Sequence, residues 1–376
     1  MAKNTIKILK GAIGRFPLTL ELVQTKLAVT VHHHHLLGTG SHIPCWTYVS
    51  HGLSKLKQKE LVFTLKLNDI DTAPTFSRSP LKIFLLLYHH ALKGQRVDIG
   101  DITSLGENGL FGFSGIGYTV GLLKANELPL PASYLSCVLL SKEEHFVAQA
   151  LGLSRVIARL GYEKNRFPLL PWNDRQHRGV AFQNVLKTSM VRNLKPLRLK
   201  HCTVNLIAGD KVVLVLSPLL QRALVDYFNA KNATSPVCLL TQFEVYHEGC
   251  LVWLPGRDSI EMNTLPGASG ELIAGSFIIL APGKEQTGAT MLEDGFLMEF
   301  TSEAWTVFKN AIAKRVDESI SASHGGMDFS ISWQTGDAVD QFGFIGRGVE
   351  HDANPDSDDA SNDDGFISRI ARIFKR

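Results

Sequence analysis

Apolar and polar positions along the chain change period several times, and the changes mark the elements. Ile43-Pro-Cys-Trp-Thr-Tyr-Val49 is a short aromatic run ending near Gly52, and Leu61-Val-Phe-Thr-Leu-Lys-Leu67 alternates apolar with polar residues. Both predict strands, since side chains two apart share a face of a pleated sheet. Ile6, Leu9, Ile13 and Phe16 stand at roughly helical spacing with Lys3, Lys7 and Lys10 between them. That spacing predicts a helical or mixed segment over 1–40, docked on the body by its apolar side or lying on a membrane surface.

Ser79-Pro80 should open a helix over 81–93, with Ser79 as N-cap, Pro80 at the first position and Gly94 as the stop. Its apolar surface is broad enough to require burial. Tyr134–Leu140 reads as a buried strand, Ser141-Lys-Glu-Glu144 as a capping box, and Ser154–Leu160 as a helix ending at Gly161. Further on, Cys202–Ala208 and Lys211–Leu216 flank Gly209-Asp210 as a hairpin, and Pro218–Ala230 is helical. Val237–Phe243, Glu271–Leu280 and Gly295–Phe300 predict strands, Ser302–Val316 a helix and Met327–Trp333 a last strand. Strands and helices mix without strict alternation, which predicts an α+β fold of mixed sheets with packed helices. The chain is expected to form one large domain or two closely packed lobes, a first over 41–200 and a second over 201–345.

The pattern breaks near Gly346. Glu350 to Asp364 holds seven acidic residues and no Lys or Arg, so a disordered linker is expected over 346–365. Beyond it, Ile367, Ile370, Ile373 and Phe374 fall on one side of a helix, and Arg369, Arg372 and Lys375 mostly on the other. A tethered amphipathic basic tip over 366–376 fits a partner-docking or membrane-docking motif, or a segment folding back on its own domain.

Composition narrows the class. Hydrophobic residues are 44% and charged residues 20%, enough apolar material for a large core. Setting aside 348–376 leaves 35 basic against 29 acidic residues, without the clustered stripes nucleic acid requires. The five cysteines are widely spaced with no C-x-x-C pair, arguing for free thiols in a reducing compartment. No run reaches the ~20 apolar residues of a membrane span, and Gly11, Gly14 and Arg15 interrupt any leader-like apolar stretch, so a cytoplasmic protein is expected.

The pattern Trp46, Tyr48, Ser50, Gly52-Leu53-Ser54, Leu56 resembles the opening of the suppressor of fused domain. A longer series resembles the C-terminal domain of the endosomal adaptors SARA and endofin. It comprises Trp46 with Gly52-Leu53, Glu60, Tyr88, Gly94, Pro129, Pro131, Tyr134-Leu135, Arg159-Leu160-Gly161, Arg166-Phe167-Pro168, Glu293-Asp294-Gly295 and Ile331-Ser332-Trp333. In this reading Trp46, Tyr48, Gly52, Leu53, Arg159, Gly161 and Trp333 are structural signatures. The resemblance implies a globular scaffold without catalysis. The chain lacks the cysteine pairs of a zinc-binding FYVE module, and an acidic segment follows Trp333 where the family domain continues, so lipid recognition is not implied. Stand-alone proteins of the suppressor of fused type also resemble bacterial toxin-immunity proteins, an alternative for this chain.

Candidate chemistry is sparse. His32–His35, with His42 and His51, offers imidazoles, but alternation in a strand splits four consecutive histidines between two faces, and no metal or other cofactor is expected. His89-His90 lies on the apolar helix. His324-Gly325-Gly326, Phe113-Ser114-Gly115 and Ala268-Ser269-Gly270 lack the flanking pattern of a nucleophile elbow, and Gly115–Gly121 has the wrong spacing for a dinucleotide loop. Arg175, His177 and Arg178 after Trp172-Asn173-Asp174 form a basic loop patch. The expectation is a non-enzymatic protein-binding scaffold or adaptor, with a peripheral membrane protein or an enzyme of unrecognised type as the alternatives.

Overall fold

A computed structural model describes residues 6–10, 16–38, 41–69, 71, 76–106, 109–123, 128–180, 182–230, 235–243, 247–257, 259–323, 326–334 and 349–350. The fold is α+β and divides into two compact units: Met1–His145 with Pro171–Gly179, and Phe146–Leu170 with Val180–Asp352.

The first unit is built on an eight-stranded sheet. Its strands are β1 (Lys7–Lys10), β2 (Leu18–Val23), β3 (Leu27–Leu37), β4 (His42–His51), β5 (Glu60–Lys66), β6 (Ile102–Ser104), β7 (Gly115–Thr119) and β8 (Tyr134–Leu140). Their order is β1-β2-β3-β4-β5-β8-β7-β6, with β5 and β8 parallel. Helix α1 (Leu81–Leu92) lies in the connection from β5 to β6, and α2 (Lys142–Leu151) follows β8. One sheet face carries Val29, Val31, Trp46, Tyr48, Phe63 and Leu65 into a core shared with Leu81, Phe84 and Leu87 of α1. The opposite face places Cys45, Val49 and Val62 beside Leu123 and Trp172. Both faces of the central strands are therefore covered, so every residue of β5 except Lys66 is buried, Thr64 and Glu60 included.

Expectations for this unit need two corrections. Lys7–Lys10 is not helical: it is β1, an edge strand whose side chains are all exposed, paired with β2. Backbone groups on the β2 edge need partners, and a strand supplies them more fully than a docked helix interrupted by Gly11 and Gly14. Ser79 does not cap α1 either; Pro80 occupies the N-cap with no side-chain bond. The capping box at α2 does form, with the Ser141 amide donating to Glu144 (2.8 Å) and the Glu144 amide to Ser141 Oγ (3.3 Å).

The second unit takes the end of α2 from Phe146, then α3 (Leu153–Glu163), α4 (Gln183–Thr188), β9 (Leu197–Leu199), β10 (Cys202–Ile207), β11 (Lys211–Leu216) and α5 (Gln221–Ala230). There follow β12 (Val237–Leu240), β13 (Gly249–Val252), β14 (Glu261–Thr264), β15 (Leu272–Gly275), β16 (Phe277–Pro282), β17 (Gly288–Leu292) and β18 (Gly295–Phe300). The last described elements are α6 (Ser302–Lys314), β19 (Glu318–Ile320), β20 (Asp328–Trp333) and β21 (Val349–Glu350). They build a seven-stranded sheet, β14-β13-β15-β10-β11-β20-β19, and a six-stranded sheet, β17-β18-β16-β12-β9-β21.

The run expected as one strand over 271–280 divides at Ser276. β15 pairs with β10 in the first of these sheets and β16 with β12 in the second. At the break, the Ser276 amide donates to the Asp294 carbonyl (2.7 Å) instead of to a ladder partner. The core centres on aromatic rings: Trp305 and Phe308 stack at 5.1 Å, with Phe300 5.2 Å from each. Burying each such ring contributes roughly 1.5–3 kcal/mol.

Candidate functional site

The residues singled out as signatures make contacts within their own unit. Trp46, Tyr48 and Leu53 are fully buried, and the Tyr48 hydroxyl donates to the Ser77 carbonyl (2.6 Å). Gly52 sits at φ +114°, and a Cβ there would meet the Lys26 carbonyl oxygen at 2.2 Å. The buried Glu60 carboxylate gathers the turn, accepting from Ser50 Oγ (2.6 Å) and the amides of Gly52 (2.8 Å) and Ser54 (3.0 Å). This explains the Ser-x-Gly-x-Ser spacing followed by an acid. Gly161 does not end α3, which runs on to Glu163. A Cβ at Gly161 would lie 2.1 Å from the Pro168 carbonyl oxygen, so close chain approach sets its identity. Arg159 pairs with Glu163 one turn on, and Trp333 donates its indole N–H to the Val316 carbonyl (3.1 Å).

The histidine run lies in β3. His32 and His34 share the face carrying Thr47, and His33 and His35 the other. His34 hydrogen-bonds Thr47 Oγ1 (2.8 Å), which reaches Thr64 Oγ1 (2.9 Å); His51 bonds Thr30 Oγ1 (2.9 Å). Burial, aided by the neighbouring imidazoles, lowers His34 to about 4, and burial also holds His32, His33 and His51 below their usual value. Among the described residues no three His, Cys, Asp or Glu side chains converge to hold a metal ion. All five cysteines are free and buried, their thiols pushed up by desolvation.

The basic loop patch is largely consumed by the fold. Asn173 Oδ1 accepts from the Leu139 amide (2.7 Å), while Nδ2 donates to the carbonyls of Thr64 and Cys137 (both 3.0 Å). Lys66 pairs with Asp174 (2.8 Å), Arg175 with Asp71, and His177 with the buried Glu144 (2.7 Å). Other suspected sites resolve similarly. His89 Nδ1 donates to the Leu85 carbonyl (2.7 Å), Ser269 donates to Glu248 (2.8 Å), and Gly115 and Gly117 lie in β7, not in a phosphate loop. His324 and Gly325, and the tip residues Ile367, Arg369, Ile370, Arg372, Ile373, Phe374 and Lys375, lie outside the described residues.

Two features escaped the sequence reading. The first is a buried charge cluster around Arg155, 3% exposed on α3. Its Nε donates to Asp294 Oδ2 (3.0 Å), Nη2 to Glu293 Oε2 (2.9 Å) and Nη1 to Ser189 Oγ (2.7 Å). Its guanidinium lies 5.0 Å from the Phe277 ring centre and 5.6 Å from that of Trp253. Glu293 also accepts from Ser189 Oγ (2.8 Å) and the Met190 amide (2.7 Å). Burial pushes the Asp294 carboxyl up, against the pull of Arg155, and the neighbouring Glu293 adds to the rise. Nε, Nη1 and Nη2 each donate to a buried group of the fold, so the cluster is a fastener.

The second feature is the β9 edge. β9 pairs in parallel with β12 on one side, Leu239 facing Leu197. On the other it accepts β21 antiparallel, with Val349 opposite Leu199 and Glu350 opposite Arg198. A two-residue piece of the distal chain thus joins the sheet as an added strand. The sequence leading into and out of β9 is basic: Lys187, Arg192, Lys195, Arg198 and Lys200 occur between 187 and 200 without one acid, and Arg198 Nη2 donates to the Ala148 carbonyl (3.3 Å). Lys187, Arg192 and Lys195 are exposed. A three-residue strand, Leu-Arg-Leu, is too short for periodicity to reveal.

No protein-family model matches the chain, and no curated protein matches it. Among solved structures it is similar to a crystal structure of Drosophila Suppressor of Fused, at 10% identity and a TM-score of 0.36, covering 84% of this chain and 92% of that one. It is also similar to a crystal structure of the Sufu-Fu complex, at 14% identity and a TM-score of 0.32, covering 42% of this chain and 80% of that one. Both names are those of the family that the Trp46–Leu56 pattern resembles.

Proposed function

We propose that the chain is a non-enzymatic scaffold that binds another protein by accepting an extended segment at the β9 edge. One observation carries this reading: β21 is already added to β9 as a strand, so this edge accepts extended chain. Strand addition gives affinity through main-chain hydrogen bonds and selectivity through flanking side chains. Basic residues beside the edge favour an acidic segment and raise its rate of encounter. The tip assists, with Ile367, Ile370 and Phe374 as apolar anchors and Arg369, Arg372 and Lys375 steering toward an acidic surface. An adaptor role of the SARA and endofin kind, or neutralisation of a toxin, would each be a particular use of such a surface.

The test is co-purification of the tagged full chain from its native cells, with mass spectrometry, repeated for Lys195→Glu/Arg198→Glu and for a chain lacking 365–376. A specific partner should fall at least about tenfold with the edge reversal and severalfold without the tip, if each removes charged contacts of about 1 kcal/mol. Recovery unaltered by both changes refutes the reading.

A further inference from the structure

We propose that His33 and His35 form a two-nitrogen chelate on β3 for a divalent transition-metal ion of borderline softness, the class of Cu(II), Ni(II) and Zn(II). The site belongs to the first unit and stands whether or not β9 is a docking edge. Four consecutive histidines in a strand divide two and two between its faces. On one face His34 bonds Thr47 Oγ1 (2.8 Å) and His32 is buried, so that pair is taken up by the fold. On the other, His33 is half-buried and His35 exposed, and neither imidazole is hydrogen-bonded to a described residue. Opposite them in register stand Trp46 and Pro44, neither of which carries a side-chain acceptor.

The rings of His33 and His35 lie 5.8 Å apart, centre to centre, at 64°. Imidazoles sharing one ion, with bonds of about 2.0–2.1 Å to nitrogen, place their ring centres about 5 Å apart. A small side-chain rotation closes the difference. His33 is braced: its ring lies 5.9 Å from that of Phe16, which packs edge-on against Phe76 at 6.2 Å. A ligand held by packing loses less freedom on binding. Burial, and His35 beside it, hold His33 below its usual value, so at neutral pH it is unprotonated, the form that ligates. Imidazole suits copper, nickel and zinc, whereas magnesium and calcium take oxygen ligands. No third His, Cys, Asp or Glu joins the pair among the described residues. The ion therefore keeps its remaining positions for water or for a donor brought by another molecule, unlike an ion in a closed structural site.

The experiment titrates the full chain with Cu(II), Ni(II), Zn(II) and Mg(II) salts by calorimetry at pH 7. One equivalent should bind more tightly than the rest, Cu(II) ahead of Ni(II) and Zn(II), with no saturable Mg(II) binding. Electron paramagnetic resonance of the first Cu(II) equivalent should show two nitrogen ligands. Once one imidazole holds the ion, the second binds it intramolecularly, so either arm alone loses the advantage. His33→Ala and His35→Ala should therefore each weaken the first equivalent at least about tenfold, and the double variant by little more. His42→Ala, on the neighbouring strand, should change it by less than about twofold. Circular dichroism checks the fold of each variant. His35 is exposed, so its result stands even if His33→Ala disturbs the Phe16 contact. Three results would overturn the proposal: no equivalent tighter than the rest, small additive losses spread over all three histidines, or a loss from His42→Ala equal to that from His35→Ala. The last two would mark a diffuse imidazole-rich surface in place of a chelate.

Discussion

Arg155→Met should be among the most damaging single substitutions in the second unit. The guanidinium is 3% exposed and holds Asp294 at 3.0 Å and Glu293 at 2.9 Å, beneath the rings of Phe277 and Trp253. Met matches much of its volume, so packing is largely kept while the cation is lost. Two adjacent carboxyl groups then remain buried with no counter-charge. Leaving one member of a buried ion pair uncompensated costs about 3–5 kcal/mol. With a Tm change of about 2–4 °C per kcal/mol for a unit this size, melting should fall by roughly 6–20 °C. Urea denaturation followed by circular dichroism would measure the loss, with an unchanged m-value showing that the compact state persists. The triple variant Arg155→Met/Glu293→Gln/Asp294→Asn should recover most of the stability, since replacing a whole buried network by uncharged groups is often neutral. A single variant losing less than about 1 kcal/mol, or a triple variant no better than the single, would refute the account of the cluster as a charge-balanced fastener.

Stability should rise with pH across the window set by the histidine ladder. His34 is lowered to about 4 from 6.5, so between those values the unfolded chain binds more protons and stability is lost as pH falls. His34→Gln should flatten that slope, by on the order of 1 kcal/mol between pH 7 and pH 5 after discounting for solvent screening, in urea midpoints taken at both. Asp294 acts with the opposite sign. Its raised folded-state pKa keeps the native carboxyl protonated above 3.8, so stability falls as pH rises through that window, and Asp294→Asn should remove this contribution in acid titrations followed by circular dichroism. Gly52→Ala should destabilise by about 2–4 kcal/mol, because strain at φ +114° adds to a clash with the Lys26 carbonyl; a change below about 0.5 kcal/mol in the same denaturation assay would contradict the geometry. The five thiols should stay unreactive toward a thiol-specific chromophore in native buffer and all react in denaturant, since burial suppresses the thiolate.

Elements with a strong local signal were readable from residue order alone. β8, β11 and β18 match the expected strands end for end, and the Ser141–Glu144 capping box and the Gly209 turn formed as their chemistry dictates. Such features depend on neighbours within a turn or on two-residue alternation, and both are written in the chain. What was not readable depended on partners distant in sequence. β1 became a strand because β2 offered an open edge. The run over 271–280 split because its halves had different partners, β10 and β12. Arg155 gained its meaning from acids 138 and 139 positions away. Both β9, three residues long, and its pairing with a strand some 150 positions later were invisible for the same reason. Local preference is a sum over near neighbours, whereas the choice of sheet partner, the balance of a buried charge and the exposure of an edge are settled by what the folded chain brings alongside.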